Sequence, residues 1–265
     1  MVRRALRPVS DERDALVQAA RELVAWEEEI GGIGFPAVAV PARAPSADPL
    51  RQPVHDEPPP PAPEPLPKPA AGAAAAPQDR AKRLRVLQEE AAGCTRCRLA
   101  AGRTRSVFAR GNPETDLVFV GEGPGYHEDQ QGLPFVGNAG ALLDRMVKAM
   151  GYPRDGVYIC NVVKCRPPEN RTPKPDEAGA CKPFLSGQLE AVRPKVIVAL
   201  GRCAAENLGQ VDPGGRGWRG RWGEYEGVPV MSTYHPAFLL RSPQFKRQVW
   251  DDLKDVLRKL DKPVP

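Results

Sequence analysis

The chain has no apolar run long enough to span a membrane and no secretory leader pattern. The expected setting is therefore a reducing cytoplasm, where disulfides do not persist. It also lacks the G-x-G-x-x-G spacing of a dinucleotide loop. Its Gly-rich turn, Gly121-Glu122-Gly123-Pro124-Gly125, contains a proline, and the next helical pattern begins some fifteen residues later. No nucleotide cofactor is expected from such a turn.

Proline is abundant but unevenly placed: 14 of the 31 prolines fall between Pro36 and Pro77. That stretch cannot bury enough apolar surface to offset its ordering entropy and reads as a linker, residues 33–77. Before it, residues 1–32 carry an N-cap at Ser10 and apolar residues at helical spacing from Leu16 to Ile30, an amphipathic helix needing a surface to lie on. Charge divides at the same place. Residues 1–77 hold 8 Lys+Arg against 11 Asp+Glu, and residues 78–265 hold 30 against 22. The folded part, 78–265, is the basic part, which suits a polyanionic partner such as DNA without requiring one.

Six cysteines are present. Cys160 in Val157-Tyr-Ile-Cys160 and Cys203 among small residues suit burial as small hydrophobes. The other four sit among Arg, Lys, Gly and Pro. Cys94 and Cys97 form a C-x2-C, while Cys165 and Cys181, separated by fifteen residues, must be brought to them by the fold. This pattern points to a metal centre, and both an iron-sulfur cluster and zinc use four thiolates.

After a helix carrying Leu84, Leu87 and Ala91, apolar strands alternate with helices. The strands are Leu117 to Val120, Val157 to Val163, Val196 to Leu200 and Val228 to Thr233. Helices are expected over Ala139 to Met150, from about Pro175, near Ala204, and from Ser242 onward. The expected fold class is α/β, a three-layer α/β/α arrangement with a central four-stranded parallel sheet. Ligands bind such sheets at the carboxyl ends of the strands. There stand the glycine turn with Glu128-Asp129 and Pro134-Phe135, the run Asn161-Val-Val-Lys164-Cys165-Arg166-Pro-Pro-Glu169-Asn170-Arg171-Thr172, and Tyr234-His235-Pro236-Ala237-Phe238-Leu239-Leu240-Arg241.

These motifs, together with the four cysteines, resemble the family 4 uracil-DNA glycosylases, the iron-sulfur branch of their superfamily, over roughly Asp79 to Leu260. The resemblance implies a glycosylase-like fold and a DNA repair enzyme that flips uracil out of DNA, hydrolyses its glycosidic bond and leaves an abasic site. It implies a 4Fe-4S cluster on Cys94, Cys97, Cys165 and Cys181, with a structural role. Phe135 would stack on the extruded uracil, Asn161 would read its N3 and O4 edge, and His235 would face O2. Gly121, Gly123 and Glu128 would shape the pocket. Each also has a plain reading: Phe135 as core, Asn161 as a strand-end cap, His235 as a satisfied loop histidine.

The residue that activates water is less determined, because Gly123 stands where better-known relatives carry Asp. Glu122 is the nearest carboxylate, though it could instead pin the turn, and Asn170 is a second candidate. Leu239 would wedge into the vacated base stack unless it is core, and Arg241 and Lys164 would meet phosphates. A monomer acting on uracil-containing DNA is expected. Two alternatives stand beside it: a uracil-DNA binder forming a covalent adduct, whose histidine this chain lacks in Glu169 to Thr172, and a zinc-stabilised nucleic-acid-binding module without catalysis.

Overall fold

A computed structural model describes residues 77–211 and 217–265. The expected N-terminal helix lies outside the described residues, as does the linker apart from Pro77. The described chain builds a six-stranded sheet. Four strands form its parallel centre: Leu117–Gly121 (β2), Tyr158–Asn161 (β3), Val196–Leu200 (β4) and Val228–Thr233 (β6). The expected parallel set is thus present, flanked by two antiparallel edges. Ala109–Gly111 (β1) pairs with β3, and Arg221–Tyr225 (β5) pairs with β6. The spatial order is β1-β3-β2-β4-β6-β5.

The two edge strands escaped the sequence reading for a physical reason. The three residues of β1 are charged or small, and β5 is almost wholly exposed, so neither carries the apolar signature of a buried strand. The central strands do carry it: every residue of β2, β3 and β4 is buried.

Helices cover both faces. On one, Pro77–Gly93 (α1) and Pro175–Val192 (α5) pack with Val118, Val120, Tyr158 and Ile197. On the other, Asn138–Ala149 (α4) and Lys246–Lys259 (α8) bury Leu143, Val147, Leu253 and Val256 against Leu117, Phe119 and Val198. Short helices complete the set: Leu99–Gly102 (α2), Tyr126–Gln131 (α3), Arg202–Asn207 (α6) and Pro236–Arg241 (α7). Among the described residues no helix is long and apolar enough to cross a membrane.

Two local expectations need correction. A helix follows the glycine turn at once rather than fifteen residues later, because Glu128 reaches back to accept from the N-cap amide of Gly125 and starts α3 at Tyr126. Its first orphan amide is therefore taken by Glu128 and is not offered to a phosphate. The His-Pro segment is also helical, with Pro236 at the first position and the His235 ring accepting from Ala237 N.

Candidate active site

A cleft of about 510 Å³ opens at the carboxyl ends of β2, β3 and β6, within the size range of small-molecule pockets. Its walls include Glu122, Gly123, Glu128, Phe135, Asn161, Asn170, His235 and Arg241. Residues from four separate chain segments thus meet on one rim.

The floor depends on the absence of a side chain. A Cβ on Gly121 would lie 2.4 Å from Asn161 Oδ1 and 2.6 Å from the Phe135 ring, and one on Gly123 would lie 2.8 Å from the Val163 side chain. Glycine at these positions lets Asn161 and Phe135 close over the strand end. Phe135 sits in the left-handed region at φ 56°, and its carbonyl lies so near Gly140 that a Cβ there would be 1.8 Å away. A bulky residue in that conformation is held by its surroundings, here Gly140 and the carboxylate of Glu128. Glu128 accepts from Gly125 N, Val136 N and Gly137 N, tying the two halves of the glycine loop together.

Asn161 ends β3 and is 2% exposed, and among the described residues its Oδ1 has no hydrogen-bond partner. A buried acceptor left unpaired costs about 1–3 kcal/mol, so this atom marks a place built for a donor that arrives with a ligand. Across the cleft, the His235 ring lies 5.5 Å from that of Phe135 at an interplanar angle of 29°. Gly201, at φ 90°, approaches His235 so closely that a Cβ would come within 3.1 Å. Nδ1 of His235 accepts from Ala237 N, so the ring proton resides on Nε2. Burial, and then the Arg241 guanidinium, push its pKa down to about 4 against a weaker pull from Glu128. The neutral ring is thereby maintained as an Nε2–H donor at neutral pH.

Glu122 is shifted the other way. Burial raises its pKa, opposed by a hydrogen bond with Thr172. Asn170, in the left-handed region at φ 53°, receives a 2.8 Å bond from Arg166 Nε. An arginine nitrogen only donates, so it consumes Asn170 Oδ1 and leaves the amide NH2 as the free end. The loop is held on its other side by Arg171, whose two bonds to Glu177, at 2.7 and 2.8 Å, keep that buried carboxyl at about 2. Arg166 and Thr172 were legible only as polar loop residues. Their roles come from contacts across the loop.

Two predicted DNA contacts are corrected. Leu239 is 1% exposed and belongs to the core, because the segment coils and turns that position inward; Ala237, Phe238 and Arg241 face the cleft instead. Lys164 is also 1% exposed, with Nζ donating to Asn161 O at 2.5 Å, and cannot reach a phosphate. Arg241 is exposed at the rim.

Cys94, Cys97, Cys165 and Cys181 line one narrow recess, walled by Ala91, Ala100, Ala180 and Phe184. Arg103 donates to Cys165 Sγ at 3.3 Å, and Lys164 N donates to Cys181 Sγ at 3.3 Å. Among the described residues no three such side chains converge on a point that a single ion could occupy. Four thiols around one recess are a donor set used both by iron-sulfur clusters and by tetrahedral zinc. Cys160 and Cys203 are buried elsewhere.

The sequence comparisons agree with this geometry. The Uracil DNA glycosylase superfamily matches residues 108–254. The chain is 43% identical to a type-4 uracil-DNA glycosylase of Thermotoga maritima over 185 residues, covering 66% of this chain and 93% of the relative. It is 44% identical to that of Archaeoglobus fulgidus over 177 residues, covering 63% and 88%. With the type-4 enzyme of Sulfurisphaera tokodaii it shares 41% over 183 residues, covering 65% and 83%. Sequence, sheet and cleft together identify the chain as a member of the uracil DNA glycosylase superfamily, in its type-4 branch.

Proposed function

We propose that this uracil-DNA glycosylase binds uracil flipped from DNA in the cleft and hydrolyses its bond to deoxyribose with Asn161, His235, Glu122 and Asn170 in separate roles. The observation that carries this is the unpartnered, buried Oδ1 of Asn161. Uracil supplies a donor there, its N3–H, and an acceptor at O4 for the same carboxamide. Cytosine reverses both groups. Free uracil should therefore inhibit excision competitively, whereas cytosine should not. Equal inhibition by both would remove Asn161 from base reading.

Bond cleavage leaves a uracil anion and an oxocarbenium-like sugar, so the site needs a donor at O2 and an acceptor near C1′. Nε2–H of His235 supplies the first without becoming charged. Glu122 supplies the second when ionised, taking a proton from water. The free NH2 of Asn170 faces the opposite need, donating to the oxygen of that water. Arg241 at the rim suits a phosphate contact with DNA.

These assignments set the acid limb of the pH profile. Glu122 must be deprotonated, and its pKa is raised above 4.5, whereas His235 stays neutral until about pH 4. Excision should thus rise with pH through the raised Glu122 value, and the limb should vanish in Glu122→Gln. An acid limb unchanged in that variant would assign it elsewhere. Stability has its own sign at His235. Its folded pKa lies below the unfolded value, so the folded state loses stability as pH falls from about 6.5 toward 4.

The four cysteines are proposed to hold a 4Fe-4S cluster that staples the loop between α1 and α2 to the segment following β3 and to α5. When bound it supplies cross-linking rather than reaction chemistry. Protein purified without oxygen should be brown and carry about four irons per chain. Cys94→Ser and Cys181→Ser should lose iron and solubility, and Cys203→Ser should lose neither. Stoichiometric zinc without iron would refute the cluster.

A further inference from the structure

Lys164 is 1% exposed, yet no carboxylate pairs with it among the described residues. Among those residues its Nζ has one hydrogen-bond acceptor, the carbonyl of Asn161, and lies 6.0 Å from the centroid of the Phe108 ring. Burying an ammonium against a carbonyl and a ring face leaves most of its desolvation uncompensated. A nearby counter-charge would offset that cost. The anionic candidates are the cysteines: Lys164 lines their recess, and its backbone N–H bonds Cys181 Sγ. Four thiolates around a cluster leave the assembly negative, and among the described residues Arg103 alone donates to one of them by side chain.

We propose that Lys164 is the buried counter-cation of the four-cysteine centre and, through its bond to Asn161 O, the positioning residue that ties the centre to the strand end reading the base. The geometry makes one side chain serve two neighbours. Toward the cysteines it offsets negative charge. Toward the pocket it fixes the last carbonyl of β3, whose own residue carries the unpartnered Oδ1. Loss of metal would leave the ammonium buried without a counter-charge. Lys164 would then move toward water and release Asn161.

The inference rests on the metal reading, and the test separates the two. Full-length protein is prepared anaerobically as wild type, Lys164→Met and Lys164→Arg. Metal content is measured first, followed by the rate at which a chelator removes the metal. Lys164→Met keeps the length of the chain without its charge and should lose metal at least about tenfold faster than wild type. Lys164→Arg keeps the charge and should stay within about threefold. A metal-free wild type would overturn the metal reading and this inference with it. A metal-loaded wild type with Lys164→Met releasing metal at the same rate would overturn this inference alone. Should Lys164→Met fail to fold, wild-type hydrogen exchange decides. Removing the metal should expose the amides of Tyr158 to Lys164 to exchange along with those near Cys94. Unchanged protection at Tyr158 to Lys164 would overturn the proposal.

Discussion

Asn161→Asp should lower uracil excision by about a thousandfold and bring weak cytosine excision with it. In the proposed pocket the wild-type carboxamide would present an acceptor to N3–H and donors to O4, at a place where Oδ1 is buried and has no partner among the described residues. A carboxylate can accept at both atoms but donates at neither, so it repels O4 and tolerates the cytosine amino group. Sites built to hydrogen-bond a polar edge reject the wrong edge by about 10⁴-fold, because the mismatch strands buried polar atoms on both sides. Single-turnover excision from oligonucleotides carrying uracil or cytosine measures both effects. Asn161→Ala should lose uracil without gaining cytosine. Wild-type uracil excision in Asn161→Ala would mean that the base sits elsewhere.

Glu122→Gln should slow single-turnover excision by about 10²–10⁴-fold while leaving affinity for uracil-containing DNA within a few-fold of wild type. That range is the usual contribution of a positioned general base. Glu122 earns this role by contrast with its neighbour Glu128. Glu128 is consumed by three backbone N–H donors and shapes the loop, whereas Glu122 lines the cleft with a pKa raised by burial, as proton acceptors in enzymes are. Thr172→Val, which removes the hydroxyl partnered with Glu122, should move the acid limb to higher pH because the carboxylate loses a stabilising bond. An unmoved limb in Thr172→Val, or a lost DNA affinity in Glu122→Gln, would recast Glu122 as a structural pin.

Much of this architecture was legible because burial leaves a strong trace. The four central strands are nearly unbroken apolar runs, and turns carrying Gly, Asn or His-Pro follow their ends, which is where a parallel sheet gathers a site. The C-x2-C and its two distant partners were also readable, since thiols among charged residues fit poorly as core. What the sequence concealed was orientation. Lys164 and Leu239 look like surface residues or wedges in a linear motif, but the backbone turns both inward. Asn170 could be read as acceptor or donor until Arg166, four residues earlier, was seen to occupy its oxygen. The loop geometry that decides this lies at Glu169 and Asn170, both at positive φ, which no local propensity announces for a glutamate. The exposed strand β5 left no trace for the same reason: its pairing with β6, not its side chains, holds it in place.

The most direct measurement is incubation of the purified full chain with an oligonucleotide carrying one uracil, then alkali and a denaturing gel, with unheated samples run for protein-bound DNA. Hydrolysis by the residues described predicts a strand break at the uracil position only after alkali, released free uracil in equal amount, many turnovers per chain, and no slow-migrating protein-DNA band. An intact strand after alkali, or product limited to one per chain and retained as a covalent adduct, would contradict it.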